Sequence, residues 1–132
     1  MEHIRTSGLE AFEERWRFSH VVVAQGLLLL SGVTGTDVDG SVSSDPSERL
    51  TKRSCTCAGT SSRPEPRSRT CSLTSYHVDL RQHLDAFMAV KDRHILAPYP
   101  AWSAIGVSQL ITAGVFVEIR AIAADPRTRR NA

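Results

Sequence analysis

The sequence predicts a single α+β domain, and three observations carry that reading. Strand-sized apolar runs recur along the chain, one later stretch has helical spacing, and 132 residues suffice for one core but not comfortably for two. Hydrophobic residues make up 41% of the chain and the net charge is +2, which excludes disorder throughout and a strong field for polyanions. Nucleic acid is therefore not an expected partner. The longest apolar runs, Val21 to Ala24 and Leu27 to Leu30, fall far short of the roughly twenty residues of a membrane helix. The opening Met-Glu-His-Ile-Arg lacks the plan of a signal peptide, so a cytoplasmic location without a membrane partner is expected. Three cysteines, Cys55, Cys57 and Cys71, are an odd count that suggests reduced thiols rather than a secreted disulfide framework.

The elements follow in order. His20 to Ala24 and Leu27 to Ser31 read as two strands, with Gln25-Gly26 as the tight turn between them. Gly32, Gly35 and Gly40, with Asp37, Asp39 and Asp45, mark a loop leaving the sheet. Thr74 to Asp79 alternates as a strand, and a helix near residues 81 to 95 follows from the spacing of Leu84, Phe87 and Met88. Pro98 and Pro100 end that helix. A strand within Tyr99 to Leu110, a Gly turn and a second strand within Ala113 to Ala123 close the domain at residue 125, and Pro126 to Ala132 is expected to be a flexible basic tail. In the last strand Val115, Val117, Ile119 and Ala121 share one face, and Phe116, Glu118 and Arg120 the other.

A second helix is missing from this order. Thr51 to Ser72 reads TKRSCTCAGTSSRPEPRSRTCS, without apolar period and with Pro64 and Pro66 inside, a composition that cannot offset its ordering entropy by burial. Read from each third base, with ordinary GC-rich third positions, the same stretch becomes DEAFVHLRRNLVEAGASLEDVL. That string has helix-spaced Phe, Leu, Leu and Val, a Gly stop, and a Ser-x-x-Asp start signal for the next element. The expectation is that 51–72 is the product of two compensating frameshifts, in the gene or in its reading, and that the first helix is disrupted. The alternative is a native Ser/Arg-rich loop. Losing a packed amphipathic helix forfeits about 1.5 to 3 kcal/mol for each buried Leu- or Phe-sized side chain, against a whole-domain stability of about 5 to 15 kcal/mol. A marginally stable product is expected.

The run from Tyr99-Pro-Ala-Trp-Ser-Ala-Ile-Gly-Val to Gly114-Val-Phe-Val-Glu-Ile-Arg-Ala-Ile-Ala, with the Ser31-Gly32 end of the second strand, resembles the RidA (YjgF) family of small proteins, whose best-known members hydrolyse enamines and imines. The resemblance spans nearly the whole chain except Thr51 to Ser72. It implies a chorismate-mutase-like sheet packed by helices, a homotrimer, and a small-molecule ligand held between subunits without metal or organic cofactor. It also implies that Glu118 orients the attacking water, and that Phe18, Ser31, Gly32, Lys91, Trp102 and Ala104 line the ligand. Four of these depart from the family's deaminases, which have tyrosine at Phe18, asparagine at Lys91, a carboxylate-binding arginine at Trp102 and a thiol residue at Ala104.

Exchanging arginine for Trp102 removes a planar two-pronged donor for carboxylate and leaves an indole that can stack on a flat substrate or sit over a cation. Lys91 offers a point charge in its place, although helix-surface lysines are usually solvated. Apart from the resemblance, Glu118 beside Arg120 reads as a solvated surface pair. Ser31 lacks a Gly-x-Ser-x-Gly elbow and reads as a turn-shaping hydroxyl. The Cys55-x-Cys57 spacing fits none of the usual zinc pairs, and His20, His77, His83 and His94 show no ligand spacing. Two other readings stay open. One is a non-catalytic ligand-binding or interaction protein; the last-ranked is RNA binding through Arg63, Arg67 and Arg69 and the tail arginines Arg127, Arg129 and Arg130, which would be strongly salt-dependent.

Overall fold

The computed structural model describes residues 1–34 and 70–131, with side chains through 128. Its elements are β1 (Glu2–Ile4), α1 (Glu10–Trp16), β2 (Val21–Ala24), β3 (Leu27–Thr34), β4 (Thr70–Val78), α2 (Leu80–His94), β5 (Ala101–Val107), β6 (Val117–Ala124) and a terminal 3-10 turn (Pro126–Asn131). The strands form one six-stranded sheet in the order β1-β2-β3-β6-β4-β5. Only β4 and β5 are parallel among these pairs, joined through α2; the rest are antiparallel. This is the α+β architecture that the sequence predicts. The reading of residues 51–69 as a damaged helix lies outside the described residues, but Thr70, Cys71 and Ser72, the end of that segment, already belong to β4.

The β2–β3 hairpin turns on two residues with positive φ, Gln25 at 51° and Gly26 at 76°, the combination that matches strand twist in a two-residue loop. Pairing of Ala24 with Leu27 fixes its register. Neither β1 nor α1 carries a strong pattern in the sequence. β1 is three residues long, and α1 buries none of its seven, holding instead through Phe12 against Phe18 at 5.8 Å between ring centroids.

Alternation along the central strands sets the core. Leu73, Val117, Ile119 and Ala121 face Phe87 and Val90 of α2, and Leu30 and Val33 extend the cluster across β3. α2 covers Leu80–His94, one residue from its expected limits at each end, and its last amide, that of Ile95, still reaches the Lys91 carbonyl at 2.8 Å before the prolines intervene. Two details differ from the sequence reading. β5 and β6 are not neighbours, because β4 lies between them. Phe116, placed by alternation with Glu118, sits one residue before β6 with its ring tilted against that of His83 of α2 at 4.7 Å.

At Pro126 the chain enters the 3-10 turn. Arg127 bonds both Asp125 oxygens and reaches Glu2 at 2.9 Å, tying the 3-10 turn to β1. These contacts lower the Asp125 and Glu2 carboxyl pKa values and raise that of Arg127, with hydrogen bonding as the leading cause in each case. Among the described residues no helix is long and apolar enough to cross a membrane.

Candidate functional site

Glu118 is placed by an irregularity in β3. Leu30 pairs with Ala121 but Val33 with Ile119, so β3 carries one extra residue at Ser31-Gly32, a β-bulge. The bulge brings the Gly32 backbone under the Glu118 side chain. A Cβ built on Gly32 would overlap the Glu118 carboxylate, with Oε1, Cδ and Cγ all in the way. Glycine is therefore required for close approach rather than for its φ.

Ser31 fixes the same bulge from the other side. Its amide donates to the His20 carbonyl at 2.9 Å and its hydroxyl to the Ser19 carbonyl at 2.7 Å. That hydroxyl is a structural donor, as the sequence reading expected. The Phe18–His20 segment so tied is held further by Glu13, whose Oε1 accepts both the His20 amide at 2.9 Å and the ring Nδ1 at 3.0 Å. The His20 amide, ahead of the ring contacts, lowers the Glu13 pKa. Because a carboxylate only accepts, Nδ1 carries the proton, and the Phe18 ring lies tilted against the imidazole at 4.6 Å. Beyond Phe18 lies a cleft of about 300 Å³ between β1 and α1, lined also by Arg5, Glu10, Glu13 and Arg17.

Trp102 and Lys91 meet elsewhere. The indole Nε1 donates to the Ser75 hydroxyl at 3.0 Å, and the ring stacks on Phe87 with centroids 6.1 Å apart and planes 25° from parallel. Lys91, one turn beyond Phe87 on α2, sets its Nζ 4.9 Å from the indole centroid and 2.8 Å from Asp92. The cation over the indole is thus the protein's own lysine. Ala104 follows two residues along β5 on the same face, opposite Ser75.

The structure therefore brings the expected residues together as two groups. Trp102 pairs with Leu73 and Ala104 with Ser75, on the face covered by α2. Glu118 pairs with Tyr76, which pairs with Ile105, on the opposite face. Gly32 and Glu118 meet at the bulge, to which Phe18 is linked only indirectly, through the bonds of Ser31 to the following Ser19 and His20. Lys91, Trp102 and Ala104 gather on the α2 face, and a sheet separates Glu118 from Trp102.

Glu13, His20 and Ser75 went unrecognised in the sequence. Glu13 lies seven residues before His20 with no periodic link, and Ser75 meets Trp102 only through the parallel β4–β5 register. Among the described residues no three His, Cys, Asp or Glu side chains gather as metal ligands. The cysteine pair Cys55 and Cys57 lies outside the described residues.

The Endoribonuclease L-PSP family profile matches residues 8–125. A solved structure of a protein named YjgH superposes with a TM-score of 0.74 at 27% identity, covering 95% of this chain and 96% of that one. RidA from the Antarctic bacterium Psychrobacter sp. PAMC 21119 gives 0.64 at 22% identity, over 81% of this chain and 87% of that chain. TdcF of E. coli with bound serine gives 0.66 at 21%, over 81% and 87%. At their identities the last two establish likeness of fold alone. A search of curated proteins found no match. With a family profile that matches residues 8–125 and a fold shared over 95% of its length, the chain belongs to the Endoribonuclease L-PSP family, the RidA or YjgF proteins.

Proposed function

We propose that the chain assembles as a homotrimer in the cytoplasm, takes a small imine, enamine or carbonyl metabolite between subunits, and hydrolyses the imine to a carbonyl compound and ammonia. The observation that carries this reading is the Glu118 carboxylate seated over Gly32 at the β3 bulge, where a side chain of any size would displace it. A carboxylate held over backbone is suited to orienting a water. That the two residue groups lie on opposite faces of one sheet supports a site completed by a second copy. In the TdcF structure the same fold holds serine, a metabolite of suitable size.

In the proposed reaction an enamine first tautomerises to its imine. Glu118 takes a proton from water as the oxygen bonds to the imine carbon, and the C=N π pair moves to nitrogen. The nitrogen takes that proton from Glu118 to give the carbinolamine, then a second proton from the carbinolamine hydroxyl relayed through the same carboxylate, and leaves as ammonia as the hydroxyl oxygen forms C=O. The balance is one imine and one water consumed, one carbonyl compound and one ammonia released. Exchange of Glu118 for Gln keeps the shape and removes the base, so imine hydrolysis should slow by about 10²-fold or more. Equal rates for the two proteins would favour the second reading, a non-catalytic binding protein. That reading draws support from Phe18, which lacks a hydroxyl, and from an indole whose one donor is already used by Ser75.

A further inference from the structure

We infer that the ligand of this site carries no carboxylate beside its imine carbon, and that the substrate class is the imine of a primary amine with a flat, uncharged substituent. The inference rests on the proposed hydrolysis and deepens it. It follows from the way the Trp102 surroundings are filled.

Trp102 has no polar group left to offer. Its N–H is spent on Ser75, itself fully buried, and Phe87 and Lys91 of α2 lie against the ring. Trp102 as a residue nevertheless remains 37% exposed on β5 at the edge of the sheet, which leaves it within reach of a ligand. An indole so placed favours a flat apolar group through stacking and area burial.

Among the described residues that touch the indole, the cation is Lys91, and it is already committed. Its ammonium lies 2.8 Å from the Asp92 carboxylate and over the indole, with the side chain only 15% exposed. A ligand carboxylate arriving there would share one ammonium with Asp92 and face that like charge at close range. It would also have to compete for a cation already satisfied by the ring. A point charge of this kind gives none of the two-pronged geometry that fixes a carboxylate. An uncharged tail meets no such opposition.

On the other group, Glu118 suits the protonated imine by charge as well as by its role toward water. Hydrolysis of that iminium with one water gives one aldehyde and one ammonium ion, with atoms and charge balanced. The class of reaction that supplies this substrate is oxidation of a primary amine by a flavin enzyme that releases the imine, with oxygen as the electron acceptor.

The test uses two imines that differ only by the carboxylate, made in place by flavin oxidases from benzylamine and from phenylglycine. Their decay is followed by ultraviolet absorbance, with and without the full-length protein. The benzylamine imine should be hydrolysed faster by at least about tenfold. Trp102→Arg should reverse that order, and Trp102→Phe, which keeps an aromatic surface and spares the fold, should retain it. Equal or greater acceleration of the phenylglycine imine by the native chain overturns the inference while leaving the hydrolysis standing. If that acceleration then falls in Arg120→Gln, the carboxylate is held from β6 instead. Acceleration of neither imine over protein-free buffer overturns both the inference and the hydrolysis beneath it.

Discussion

The Gly32–Glu118 region and the Lys91–Trp102 region share one sheet, and they are built by opposite means. The first depends on a missing side chain. A bulge and a glycine let backbone come close to a carboxylate, and hydrogen bonds donated by Ser31 and accepted by Glu13 hold the segment that leads into β2. The second depends on an added side chain, an indole packed between the sheet and α2 with its donor satisfied within the chain. Position within a shared fold is thus separable from chemistry. Strand register places Trp102 on the α2 face of the edge strand β5, while the residue itself sets which groups that position offers.

The largest expected effect concerns the support of both regions. Replacing residues 51–72 with DEAFVHLRRNLVEAGASLEDVL supplies several helix-spaced apolar side chains, each worth about 1.5 to 3 kcal/mol when buried. The melting temperature should rise by many degrees, and a fresh nucleotide read of codons 48 to 74 should return that frame. A cooperative melt at ordinary mesophile temperatures in the native chain, unchanged by the replacement, would leave the frameshift account without support.

Next come two substitutions that separate the regions by readout. In Gly32→Ala the new Cβ meets the flexible end of Glu118, which can swing aside, so imine hydrolysis should fall about 10²-fold with stability changed by less than about 1 kcal/mol. In Trp102→Ala the Phe87 stack and the Lys91 contact are lost, so stability should fall by about 2 kcal/mol and hydrolysis of the benzylamine imine should slow as well, through loss of the ligand's ring contact. Chemical denaturation paired with rate measurement checks both. Identical profiles for the two variants would erase the contrast.

The smallest effect is a pH dependence under the Trp102 region. His77 is fully buried on β4 against the Phe87 ring at 4.7 Å, and both of its nitrogens lack a partner. Burial, and secondarily the nearby His83, lower its pKa below the usual 6.5. Above that value His77 is neutral folded and unfolded alike. As the pH falls below it the unfolded chain binds the proton first, so stability is lost progressively toward the depressed folded value. His77→Leu should flatten this acid limb and cost little at pH 8, since an apolar group replaces an unsatisfied one. An acid limb of unchanged slope in that variant would place the titration elsewhere.

Much of the fold was legible because it rests on alternation. Val117, Ile119 and Ala121 announce the core face of β6, and the Gln25-Gly26 turn announces its hairpin. β1 and α1 were not legible, because three residues of edge strand and seven residues with no buried side chain leave no period to detect. The neighbourhood of β5 was misjudged for a different reason. Adjacent strands in sequence suggest a hairpin, whereas the parallel β4–β5 pairing is set by α2 crossing between them. In the candidate site, Ser31, Gly32 and Glu118 were named through resemblance, and the structure adds the bulge that brings the Gly32 backbone under Glu118. The Lys91–Trp102 contact follows from register between a helix and a strand, which no local pattern carries.

The claim that joins the two regions is that one copy's Glu118 works with another copy's Trp102. Subunit mixing tests it directly. Glu118→Gln and Trp102→Ala chains, each slow alone on the benzylamine imine, are co-expressed with different tags and purified together. Random assembly of a ring leaves about a quarter of the sites with two native groups, so about a quarter of the native rate should return. A mixed assembly no faster than its parents would place both groups in the service of a single chain and contradict the account.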